Sequence, residues 1–125
     1  MAFPGTYNFD YYRGDTFQFV ITPKTSTGAT FPLDAFAASG AIFTISNARG
    51  DSPSTTINSV DDSDKLASII NTSSDVIACI IKPNAREDLI GENTYYYDVE
   101  IFNGASLRYT LLTGEITVTD DVTGA

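Results

Sequence analysis

Turn-forming residues interrupt this sequence so often that long helices have nowhere to form. Residues 17–22 alternate, with Phe17, Phe19 and Ile21 on one side and Gln18, Val20 and Thr22 on the other. That is the period of a half-buried strand. Pro23 ends the run, because proline has no N–H to give a central ladder. A polar turn centred on Gly28 follows, then Phe31-Pro32-Leu33-Asp34 and a small-residue loop over residues 35–40. Residues 41–47 make the next strand, closed by the Gly50-Asp51-Ser52-Pro53 turn. Residues 55–60 read as a weak edge strand. Residues 61–75 mix acidic side chains with Leu66, Ile69 and Ile70, and admit a short strand or an irregular loop. Residues 76–81 are nearly all apolar, which suggests a strand covered on both faces.

One short helix is expected near residues 83–89, where Pro83 occupies a first helical position and Gly91 stops the run. Residues 94–102 are the strongest strand, with Tyr95, Tyr97, Val99 and Ile101 opposite Tyr96, Asp98, Glu100 and Phe102. Asn103-Gly104 signals a hairpin, since both residues tolerate positive φ. The return strand covers residues 106–112, and Gly114 allows a kink before Ile116 and Val118 continue it. Turn signals at about 8–12-residue spacing favour an all-β, immunoglobulin-like antiparallel β-sandwich of about seven strands. A short helix before the strongest strand suits the corner between sheets, and makes Tyr95 a candidate corner tyrosine. A small barrel is the competing architecture.

The chain has 125 residues, which suits a single domain over residues 1–125, with an aromatic arm at 1–12 and a loose acidic tail at 119–125. Seven Lys+Arg against 16 Asp+Glu give a net charge of −9. Such acidity argues against nucleic-acid partners, whose affinity rests on Lys and Arg, and against anionic membrane surfaces. No apolar run approaches the roughly 20 residues of a membrane span. Residues 1–10 lack a basic start before an apolar stretch, so no signal peptide is expected. There is no histidine, which removes serine–histidine and cysteine–histidine nucleophilic chemistry and the commonest metal ligand. Cys79 is alone, so neither a disulfide framework nor a cysteine metal cluster is available. It reads as a small buried hydrophobe. What remains for an enzyme is carboxylate chemistry, or tyrosine and lysine activated by burial; no cofactor and no metal site is expected.

Five groups of residues carry chemistry. Arg13-Gly14-Asp15 sits at a strand entrance and reads as a structural turn. Arg49-Gly50-Asp51 continues into Ser52-Pro53 and resembles the integrin-binding loop of fibronectin type III modules, which makes it a candidate receptor loop. Asp61, Asp62 and Asp64 form an acidic cluster that lacks the glycine and distal glutamate of a helix–loop–helix calcium site. Asp98 and Glu100 share the outward face of one strand with no acid partner across a cleft, so surface or interface use is the better reading. Tyr7, Phe9, Tyr11 and Tyr12 are the candidate interface. They serve either as a docking arm on a neighbouring subunit or as a first strand packed on its own core.

Taken in order, Tyr12-Arg13-Gly14-Asp15-Thr16-Phe17, the Gly28 turn and the Ala-Ile-Phe-Thr-Ile strand come first. Tyr95-Tyr96-Tyr97-Asp98-Val99-Glu100 and Leu111-Leu112-Thr113-Gly114-Glu115-Ile116-Thr117-Val118 follow. This pattern resembles the immunoglobulin-like domain at the N-terminus of tailed-phage baseplate upper proteins, and small one-domain virion proteins of tailed phages. It departs from them at Pro32-Leu33-Asp34-Ala35 and the alanine-rich insert that follows. The resemblance implies a non-enzymatic virion protein, made in the host cytoplasm. Its partners would be other phage structural proteins or further copies of itself. Tail or baseplate is the favoured place, with capsid decoration next. Host-surface adhesion or glycan binding through exposed loops is the alternative.

Overall fold

The computed structural model describes residues 5–34, 36, 40–50, 55–103, 107–120 and 122. The strands are β1 (Gly5–Thr6), β2 (Phe9–Tyr12), β3 (Phe17–Ile21), β4 (Ala41–Ser46), β5 (Thr56–Asn58), β6 (Leu66–Asn71), β7 (Val76–Ile81), β8 (Asn93–Asn103) and β9 (Leu107–Thr119). They form an all-β sandwich of two sheets. In the six-stranded sheet, β1 and β2 lie in turn along the edge of β9, and β8, β4 and β5 follow. The three-stranded sheet has the order β3-β7-β6.

The inner faces meet through the residues that alternation singles out. Phe43 and Ile45 of β4 and Tyr95, Tyr97, Val99 and Ile101 of β8 face Leu66, Ile70, Ile77, Cys79 and Ile81 of the smaller sheet, all buried. The centre is aromatic: the Phe9 and Phe17 rings stack at 4.5 Å, and Phe43 meets Phe19 edge-on at 5.5 Å and Tyr97 at 5.7 Å. Each such pair adds about 0.5–1.5 kcal/mol beyond the area it buries.

The structure sharpens some expectations and corrects others. The described residues hold nine strands where about seven are expected: residues 5–12 form two short strands and residues 66–71 a full one. The sandwich is not wholly antiparallel: β1 and β2 run parallel to β9. The short helix is a single 3₁₀ segment, Pro83–Glu87. The strand β9 runs unbroken through Gly114, which pairs with Tyr97. The ladder with β8 shifts register between Val99 and Glu100, leaving Leu111 as the extra residue of a bulge. Gly114 is needed for a close approach, since a Cβ there would overlap the Tyr7 carbonyl oxygen. The tail is anchored where it is described. Thr119 closes β9, Arg13 pairs with Asp120 at 3.3 Å, and the Val122 N–H donates to Tyr12 Oη at 3.0 Å. The strand β7 is covered on its inner face only; Val76, Ala78 and Ile80 are half-buried on the other.

Tyr95 ties the start of β8 to the preceding turn. Its hydroxyl donates to Asp88 O at 3.2 Å and accepts from the Ile90 N–H at 2.9 Å. Tyr95→Phe leaves the ring packed and removes both bonds. The expected loss is about 1–2 kcal/mol, read as a lower urea midpoint at unchanged slope. A midpoint equal to wild type would mean that these bonds give no net stability.

Candidate interaction surfaces

The two long sides of the sandwich are closed differently. On the β4–β6 side, Ser68 Oγ donates to Ala41 O at 2.9 Å, and the Ser59 and Ser68 hydroxyls meet at 2.7 Å. The Phe43 N–H donates to Ser59 Oγ at 3.0 Å, so this side is stitched by hydrogen bonds. On the β1–β3 side an open apolar groove of about 330 Å³ is lined by Tyr7, Phe19, Val20, Ile21 and Leu112.

This groove continues onto the outer face of the smaller sheet. The register sets Val20 beside Ala78 and Ala78 beside Ile69, with Ile80 beside Ala67. Val20 is 54% exposed and Ile69 52%. Among the described residues, β3 pairs with β7 alone, so its other ladder edge carries no strand. Natural edge strands usually carry charge or proline against unwanted pairing. The sequence of β3, Phe-Gln-Phe-Val-Ile, has neither.

The four aromatic residues proposed as an interface divide. Phe9 and Tyr11 face inward on β2, and Tyr11 is 1% exposed, with its hydroxyl donating to Asp15 O at 2.7 Å. The docking-arm expectation is therefore corrected for these two: pairing with β9 turns alternate residues into the core. Tyr7 and Tyr12 remain exposed. Tyr7 is nonetheless held at its backbone, where its N–H donates to Thr113 O at 3.0 Å and its carbonyl accepts from the Tyr97 hydroxyl. Burial, with the neighbouring Tyr7 and Cys79 adding to it, raises the Tyr97 phenol well above its ordinary pKa.

The first Arg-Gly-Asp is a turn. Gly14 has φ +90°, the Asp15 N–H donates to Tyr12 O at 3.1 Å, and Arg13 Nη2 donates to Arg86 O at 2.8 Å. In the second, Gly50 also has positive φ, at 95°, and Asp51 lies outside the described residues. The Arg49 guanidinium lies 5.1 Å over the Tyr96 ring and donates to Gly114 O at 3.3 Å, so it is folded across the sheet.

The acidic segment shapes its own turn. Asp62 accepts from the Asn58 N–H at 3.0 Å, and Asn58 Oδ1 accepts from the N–H groups of Val60 and Asp61. Among the described residues no group of three or more acidic or cysteine side chains is arranged to hold a metal ion. Glu100 pairs with Arg108 at 2.8 Å. Burial pushes the Cys79 thiol up to about 12, which leaves it protonated and unreactive at neutral pH.

No protein-family model matches the chain, and no curated protein is significantly similar to it. The exposed Val20 and Ile69 and the half-buried Ile80 were absent from the sequence-derived candidates. Their signal is present all the same: Val20 is apolar on the polar phase of its strand, and residues 76–81 are apolar on both phases.

Proposed function

We propose that this chain is a non-enzymatic structural protein of a tailed-phage virion, with an immunoglobulin-like sandwich held by neighbouring subunits through the surface around β3. The strand order β3-β7-β6 against β9-β8-β4-β5 corresponds to B-E-D against G-F-C-C′ in variable-type immunoglobulin domains, which supports that family of folds. The phage assignment rests on the sequence resemblance, which also favours a tail or baseplate position over capsid decoration.

The observation that carries the interaction reading is the continuous apolar surface of Tyr7, Leu112, Val20, Ile80 and Ile69 beside an unprotected strand edge. In a chain of net charge −9, none of these five residues carries a charge. Its burial against a partner supplies the driving force, while charge elsewhere keeps the free protein dispersed.

The test mixes purified protein with particles that lack it and images them by electron microscopy. Ordered density at repeated sites is expected with wild type. The double variant Val20→Asp, Ile69→Asp should lose that density and keep its stability within about 1 kcal/mol, since both side chains are already half in water. Particles left bare by wild type would overturn the virion reading. Full decoration by the double variant would overturn the surface.

A further inference from the structure

A second surface lies on the outer face of the larger sheet, away from the groove. Strand register sets Thr44 opposite Asp98, Ser46 opposite Tyr96, and Thr56 opposite Ser46. These side chains floor an open cleft of about 290 Å³, walled by Arg49.

The wall is built by the turn after β4. Ser46 Oγ donates to Ala48 O at 2.8 Å and accepts from the Ala48 N–H at 3.3 Å, which holds the backbone leading into Arg49. Thr56 Oγ1 sits 3.3 Å from Ser46 Oγ and braces it from β5. The Arg49 guanidinium then spans Tyr96 to reach Gly114 O through Nη2. A guanidinium has five N–H donors, so others stay available to a ligand.

Asp98 is the unusual member. Its carboxylate is half-buried beneath this wall and makes no hydrogen bond or ion pair among the described residues. Burial foremost, and then the charge of Glu100, raises its pKa above the ordinary aspartate value, while Arg49 works in the opposite direction. A carboxylate whose folded pKa lies above its unfolded one opposes folding once pH exceeds that range, and it does so at neutral pH. The fold therefore carries Asp98 at a cost to stability, as binding sites commonly do.

We propose that this cleft binds a neutral polyhydroxylated ligand, a glycan, with Asp98 accepting from adjacent hydroxyls and Arg49 donating to a ring or hydroxyl oxygen. Neighbouring hydroxyls on a sugar offer paired donors that match the two oxygens of one carboxylate. The opposed charges of Arg49 and Asp98 suit a ligand without net charge, and the −9 of the chain disfavours anions. The Thr44 hydroxyl adds a donor and acceptor along the floor and Thr56 Oγ1 adds acceptor sites, while the Ser46 hydroxyl is taken up in holding the wall. This site is independent of the apolar surface around β3.

The experiment is a titration of the full ¹⁵N-labelled chain, followed by amide shifts, with maltose, cellobiose, lactose and di-N-acetylchitobiose as separate probes. One of them should saturate with Kd on the order of 1 mM, typical of a few hydrogen bonds in an open cleft. The shifts should be confined to residues 44–50, Thr56 and residues 96–98. Asp98→Asn should weaken that binding about tenfold or more, the worth of hydrogen bonds to a charged group, while its melting temperature equals or exceeds wild type. The variant Val20→Asp, Ile69→Asp should bind as wild type does. No shift at the cleft with any of the sugars would overturn the proposal, as would binding that survives Asp98→Asn. Triglycine tests the charged alternative, and cleft shifts with it alone would overturn the ligand class.

Discussion

Tyr11→Ala is expected to destabilise the domain by about 3–5 kcal/mol, lowering its melting temperature by roughly 10–20 °C. The residue is one of the largest fully buried side chains, so its removal leaves a cavity that β2 cannot collapse into without leaving β9. The hydrogen bond to Asp15 O is lost as well, and with it the brace of the turn into β3. Tyr12→Ala, one residue along on the exposed phase, should cost no more than about 1 kcal/mol. Thermal and urea unfolding of both variants measures the difference. Equal midpoints for the two would mean that residues 9–12 do not pack in the core, and would restore the docking-arm view of all four aromatic residues.

Gly114→Ala carries the second large effect. The added methyl group would occupy the position of the Tyr7 carbonyl oxygen and come within 2.9 Å of Tyr97 Cε1. Backbone cannot yield as a flexible side chain does, so the segment from Gly5 to Asn8 must move off β9. The Tyr7 N–H bond to Thr113 O, the Tyr97 hydroxyl bond to Tyr7 O and the Glu115 N–H bond to Asn8 Oδ1 go with it. Overpacking and lost bonds together come to about 2–5 kcal/mol. Hydrogen exchange should quicken at Tyr7 and Glu115 before β7 is affected. Gly28→Ala is the control: its φ of +88° strains any side chain, yet nothing lies within 4 Å of the added carbon. A cost of about 1–2 kcal/mol is expected there. If Gly114→Ala cost no more than Gly28→Ala, the close approach of Tyr7 would not be a constraint on the fold.

Much of the sandwich is legible because strand signals are local. The inward set of β8 follows from alternation alone, and the bond partners of Tyr95 follow from a hydroxyl placed just after a short helical turn. Pro23 follows the end of β3 and Gly28, at φ +88°, sits in the turn read there, whereas the helical segment stops at Glu87, ahead of Gly91. The edge position of β5 is foreshadowed by its short threonine-rich run. The all-apolar run of residues 76–81 misleads for an instructive reason. Composition records that both faces of β7 are apolar, but only packing says which of them is covered, and here the outer one is not.

The candidate sites were less visible, since each depends on which segments meet. Arg49 reads in sequence as the first residue of a loop motif, whereas in the fold it crosses β8 to reach a carbonyl 65 residues away. Asp98 and Thr44 become neighbours only through the β4–β8 register. The bulge at Leu111 changes which residues of β9 reach the groove, and nothing in the Leu-Leu-Thr-Gly run marks it.

By itself, then, the sequence determined the class of structure, the positions of most strands and the inward phase of the longest ones. It also determined an acidic, histidine-free composition. The tertiary structure alone decided that Phe9 and Tyr11 belong to the core, that one side of the sandwich stays open among the described residues, and that a guanidinium and a carboxylate share a cleft. The reason is physical. Alternation and turn preference act over a few residues, while strand partnership is chosen by the free energy of contacts between segments as distant as β2 and β9.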